Sequence, residues 1–186
     1  MVVSLRSMSI TVDGAPKLPS AQDEARFWAL LEAAWERLGP EPVALRRALR
    51  ERGPADGDAD AHALDGWFAP FLDNLRALAT DLSSEELTAL DRVVERKLHE
   101  IDRADVHAVT DGSDDGFLYA RGHIVALGRE YYEAVRVNPA LAVPDAGCER
   151  ICYLFAHLHD ERFGAWPLTG SGISRESFSN PEGWRE

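Results

Sequence analysis

Apolar side chains recur at three- and four-residue intervals along most of this chain, the spacing of amphipathic helices. Ser9-Ile-Thr-Val12 has the look of one short strand, but nothing supplies it a partner. After Ser20, Asp23 and Glu24 mark a first turn, and Phe27, Leu30, Leu31, Ala34 and Leu38 form a stripe that Trp28 and Trp35 widen. Gly39-Pro40 breaks that helix, and a short one runs from Pro42 to Arg52. Residues 65–79 read as a strongly apolar helix carrying Phe68, Phe71, Leu72, Leu75 and Leu78. Ser83-Ser-Glu-Glu86 is a capping box, and the helix it opens carries Leu87, Leu90, Val94, Leu98 and Ile101. A short helix over 104–109 follows. The last helix spans 148–163, with Ile151, Cys152, Phe155, Leu158 and Arg162 on its inner face.

Between these lies the stretch that organises the rest, a helix expected over 115–135. Ser113 or Asp114 can cap it, and Asp114 and Asp115 place negative charge at the positive end of its dipole. At about 100° per residue, Phe117, Ala120, Ile124, Leu127, Tyr131 and Val135 share one face, with Tyr119, Gly122, Ala126, Glu130 and Glu133 opposite. Arg121 and Gly128 sit at one edge of the apolar stripe. An arginine there needs a carboxylate, a carbonyl or a ligand as partner. A glycine inside a helix costs roughly 1 kcal/mol relative to alanine, so close approach of another backbone is expected at Gly128.

The pattern predicts an all-α, single-domain, bundle-like arrangement of about seven helices. Residues 1–19 form an extended lead-in, 20–163 the helical domain, and 164–186 a coil strapped onto it by Trp166, Phe178 and Trp184. A length of 186 residues with 45% hydrophobic content suffices for one substantial core. A net charge of −12 argues against nucleic-acid partners and against adsorption to an anionic membrane. The N-terminus lacks the apolar core of a signal peptide, and no stretch reaches the ~18 apolar residues of a membrane span. Cys148 and Cys152, four apart, read as buried free thiols of a reducing cytoplasm rather than as a disulfide.

Chemistry is sparse. His157-Leu-His159-Asp-Glu161 is the best candidate for a metal or acid–base cluster, with His157 and Glu161 on one helical face. The His-Glu-x-x-His motif is absent, however, and neither a metal nor a cofactor is expected. Asp56-Gly-Asp-Ala-Asp-Ala-His62 fails as a calcium loop, because Ala61 stands where glycine is needed and Trp67 where a bidentate glutamate is needed. There is no Gly-x-Ser-x-Gly elbow, no P-loop and no Gly-x-Gly-x-x-Gly. Arg46, Arg47, Arg50 and Arg52 make a local basic patch, expected to be a solvated face paired with nearby acids.

Several motifs carry a resemblance. Ser-Asp-Asp-Gly-Phe117, Arg121, Ile-Val-Ala-Leu-Gly-Arg-Glu-Tyr-Tyr132 and Asn138-Pro-Ala-Leu-Ala142 are similar to the signature of a bacterial family catalogued as domain of unknown function 4240. The Phe27-Trp28-x-Leu30-Leu31 opening and the closing Pro181-Glu-Gly-Trp184 resemble it too. The resemblance implies a small, mostly helical protein without an established common activity. Where members usually carry a Trp-Asp-containing helix before the loop, this chain reads Arg103-Ala-Asp-Val-His-Ala-Val109. The expected function is a non-catalytic binding or interaction module, with a small molecule or a protein as partner. The alternative is a small enzyme of bacterial secondary metabolism with a pocket around Arg121 and the 113–115 loop. The candidate binding residues are Asp114, Asp115, Tyr119, Arg121, His123 and Arg129.

Overall fold

The computed structural model describes residues 15–52, 62–110 and 112–185; the strand reading at 9–12 and most of the rejected calcium loop lie outside them. Eight α-helices and no strand occur among the described residues. They are α1 Ala21–Glu36, α2 Pro40–Glu51, α3 Phe68–Ala79, α4 Ser84–Glu100, α5 Ala104–Thr110, α6 Asp114–Ala126, α7 Arg129–Val137 and α8 Glu149–Phe163. Short 3-10 turns at Asp65–Trp67 and Pro139–Leu141 join them. Among the described residues, no helix is long and apolar enough to cross a membrane.

The eighth helix arises because the single helix expected over 115–135 is two. At Gly128 the backbone takes φ +92° and ψ 175°, and α7 restarts in a new direction from that residue. Glycine alone populates this region readily, so the break is written into the sequence at one position. The helix after α1 likewise starts earlier than expected, with Gly39 at φ +91° as its cap and Pro40, not Pro42, as its first residue. Cys148 caps α8 rather than lying inside it.

Capping chemistry sets the other starts. Ser20 and Asp23 form a reciprocal capping box on α1, and Ser83 and Glu86 do the same on α4, as their spacing requires. Ser113 caps α6 by accepting from the Gly116 N–H at 3.3 Å.

The core gathers around α6. From Phe117 to Ala126 every residue except Tyr119 is buried, including Gly122 and Ala126, which periodicity assigned to the polar side. A helix packed against α4 on one side and α8 on another has no polar face to keep, so its pattern carries no direction. Gly122 permits the α8 contact: a methyl group there would lie 2.5 Å from the Cys148 carbonyl and 2.7 Å from the Cys152 sulfur. Around this pair, α4 runs against α8, and α1 covers α3 and α4. Phe27, Leu31 and Trp35 of α1 are fully buried, each contributing roughly 1.5–3 kcal/mol of transfer free energy.

Candidate functional site

The two glycine corners border one cleft. Trp28, Ala29, Glu32 and Glu36 of α1 form one wall, and Val43, Ala44, Arg46, Arg47 and Arg50 of α2 a second. Leu127, Arg129, Glu130 and Tyr131 close it at the α6–α7 break, and Gly39 and Pro40 line its end. Its volume is about 920 Å³. Trp28, Val43, Ala44, Leu127 and Tyr131 make its surface chiefly apolar, while the charged side chains stand around them.

The α6–α7 corner is held by side chains from outside it. Helix α6 ends with carbonyls that have no partner of their own. The Trp35 indole N–H donates to the Ala126 carbonyl at 2.8 Å. Arg46 donates to the Leu127 carbonyl from Nε at 3.0 Å and Nη2 at 2.7 Å. Arg46 also holds Glu32 in a bidentate pair at 2.6 and 3.1 Å and lies 5.1 Å from the Trp35 ring. In turn Trp35 stacks on Phe71 with ring centroids 4.3 Å apart. A cation at a helix C-terminus is stabilised by the dipole, so Arg46 both caps and neutralises this end.

The arginines expected to form a solvated patch therefore divide. All three guanidinium nitrogens of Arg46 are engaged, and Arg50 pairs with Glu130 and more weakly with Glu51. Arg47 and Arg129 are exposed on the cleft rim and have no acid partner among the described residues. No side chain caps α7, so the free N–H groups of its first turn lie at the cleft, whereas α2 opens on Pro40 and Pro42, which have no N–H to offer.

The structure does not bring the six candidate residues into a common pocket. Asp114 and Asp115 are exposed in the first turn of α6. Tyr119 donates from its hydroxyl to Glu149 at 3.2 Å. Arg121 is fully buried, donating to the Leu98 carbonyl at 2.9 Å and to the Ser177 hydroxyl at 3.0 Å. It lies 4.7 Å from the Phe117 ring, and among the described residues its Nε has no partner. Burial pulls its pKa down, opposed by the field of Asp102. Its partners are thus a carbonyl, a hydroxyl and an aromatic face, with no carboxylate in contact. His123 is buried beside Phe68, ring centroids 4.9 Å apart, and its Nε2 has no partner among the described residues. Burial lowers its pKa to about 3, with His62 adding in the same direction, so the imidazole is neutral. Of the six, only Arg129 lines the cleft.

The histidine cluster of α8 is also dispersed. Glu161 pairs with Arg76 of α3, and His157 meets the Tyr153 and Trp166 rings. His159 is held at both ring nitrogens, 2.6 Å from the Ser84 hydroxyl and 2.6 Å from the Ala165 carbonyl. Neither it nor Ser84 lines the cleft. Among the described residues no group of three or more histidine, cysteine, aspartate or glutamate side chains is placed to hold a metal ion. Cys148 and Cys152 are buried, unpaired thiols whose pKa values burial pushes up to about 12.

Two buried charges that the sequence reading passed over fix the tail. Asp102 accepts from the backbone N–H groups of Phe178, Ser179 and Asn180 at 3.0, 2.6 and 2.9 Å, and from the Trp184 indole at 3.1 Å. Arg175 reaches Asp91 at 2.8 Å and Glu95 at 3.0 Å and donates to the Cys152 carbonyl. The two carboxylates hold Arg175 firmly protonated. Aromatic contacts add to this, with Phe178 and Trp184 ring centroids 4.5 Å apart. Trp166 stays half exposed. Asp102 could have been noticed as an acid directly after the last apolar position of its helix, but nothing in the sequence pointed to its partners.

The model of a family described as protein of unknown function (DUF4240) matches residues 56–160. No curated protein and no solved structure matches the chain.

Proposed function

The chain belongs to the DUF4240 family of proteins of unknown function, and we propose that it is a non-catalytic binding module whose binding site is the cleft between α1, α2 and α7. The observation that carries this reading is the cleft's construction. An apolar floor of ligand-sized volume lies beside a helix break capped from α1 and α2, and among the described residues two arginines of its rim have no acid partner. Concave, mostly apolar surface with a few placed polar groups is the general form of a small-molecule site. The enzyme reading centred on Arg121 has less support, because that guanidinium is sealed and engaged from within the chain. A net charge of −12 supports partners other than nucleic acid, and two unpaired buried thiols support a reducing compartment such as the cytoplasm.

The test uses a neutral apolar fluorophore, N-phenyl-1-naphthylamine, and a variant that fills the cleft. Ala44 is exposed on α2, so Ala44→Trp adds volume there without disturbing the core. Wild-type protein should give a saturable fluorescence rise that Ala44→Trp lacks, with both proteins unfolding at the same urea concentration. No rise in the wild type, or an equal rise in the two, would remove the cleft from consideration.

A further inference from the structure

We infer that the ligand of this cleft is a small amphiphilic organic acid, an apolar body carrying a carboxylate or similar anionic group. The inference rests on the cleft being the binding site and adds the chemical class of what enters it.

Size comes first. About 920 Å³ falls within the range of roughly 300–1,000 Å³ typical of small-ligand sites. Trp28, Val43, Ala44, Leu127 and Tyr131 offer apolar contact, so a wholly polar metabolite would leave that surface unused.

Charge decides the rest. The lining holds four arginines and three glutamates. Glu32 is taken by Arg46 and Glu130 by Arg50. Among the described residues that leaves Arg47 and Arg129 uncompensated against Glu36, on a chain whose net charge is −12. The sign is therefore reversed locally. A planar guanidinium presents paired N–H donors that match a carboxylate, and this recognition is lost on a cation and unused by a neutral chain. The free N–H groups at the start of α7 add to the positive field without being the basis of the assignment. Arg46 takes no part, since its donors are committed to Leu127 and Glu32.

Three ten-carbon probes of one chain length separate the possibilities: decanoate, decanol and decyltrimethylammonium, each displacing N-phenyl-1-naphthylamine at low ionic strength. Decanoate should half-displace the dye at a concentration roughly tenfold or more below the other two, as expected for a charge-assisted contact. Added salt should narrow that gap. In the double variant Arg47→Gln/Arg129→Gln the dye should still bind while decanoate loses its advantage. Both side chains are on the rim, so folding should survive, and unchanged dye binding checks it. Equal displacement by all three probes would overturn the assigned class and leave the site intact. Failure of the dye to bind wild-type protein would overturn the site itself. Displacement by a short acidic Glu-Leu peptide but not by decanoate would overturn the small-molecule assignment in favour of a protein partner.

Discussion

Arg46 on α2 and Leu127 at the end of α6 are joined by two hydrogen bonds to one carbonyl, at 3.0 Å from Nε and 2.7 Å from Nη2. A side chain from a different helix thus completes the corner at which the central helix stops. The apolar floor and the arginine rim of the cleft meet at this junction, so it shapes the cleft.

Gly39 and Gly128 have nearly the same backbone conformation in unlike surroundings, which allows a controlled comparison. A methyl group at Gly39 meets nothing within 4 Å, whereas one at Gly128 falls on the Arg46 guanidinium and the Glu32 carboxylate. Gly39→Ala should cost about 1–3 kcal/mol, the backbone strain alone. Gly128→Ala should cost more, because the cap on Leu127 must shift as well. Urea denaturation of both variants measures the difference. Equal losses would mean that the Arg46 cap contributes nothing.

Arg121→Met tests the buried guanidinium. An arginine paired with a buried carboxylate would leave an uncompensated charge on removal, at a cost of about 3–5 kcal/mol. Here the abandoned partners are the neutral Leu98 carbonyl and Ser177 hydroxyl. The expected loss in chemical denaturation is therefore about 1–3 kcal/mol, with the fold retained. A loss at the higher figure would identify Asp102 as the true counter-charge despite its lack of direct contact.

Asp102→Asn addresses the tail. Both carboxylate oxygens accept N–H groups, Oδ1 from Phe178 and Trp184 and Oδ2 from Ser179 and Asn180. Whichever way an asparagine amide turns, its NH2 faces donors. A destabilisation of about 1–3 kcal/mol should follow, with protease cleavage appearing first after residue 164. If the tail resists proteolysis as in the wild type, Asp102 is not what fixes it.

The neutral His123 makes stability depend on pH in a definite direction. Its folded pKa of about 3 lies below the ordinary 6.5, so the unfolded chain binds the extra proton between those values. The contribution is complete above pH 6.5 and declines as the pH falls toward 3, by at most about 1.4 kcal/mol per unit. Unfolding free energies measured from pH 7 to 4 should fall more steeply for the wild type than for His123→Leu. Parallel profiles would show that His123 is protonated, and so hydrated or paired, in the folded protein.

Much of this was readable from the chain itself. Helical periodicity, the Ser20 and Ser83 caps and the paired apolar stripes determined the all-helical fold of the described residues, because these signals act within a few residues of one another. The order of motifs was sufficient to indicate the family to which residues 56–160 belong. Arg121 was marked as a buried charge in need of a partner, but the partner itself was not legible. Leu98 and Ser177 lie 23 and 56 positions away and have no sequence pattern of their own.

Tertiary structure decided what local spacing leaves open. Gly128 read as a helix glycine awaiting the close approach of another backbone; the structure instead ends the helix there, with the Arg46 and Glu32 side chains against it and Arg46 and Trp35 capping the carbonyls before it from 81 and 91 residues away. The cleft followed from that break, and with it the division of one arginine run into committed and free side chains. Periodicity records which face of a helix meets apolar surroundings. It is silent about which distant groups satisfy a buried polar atom, since those bonds depend on how the helices stack.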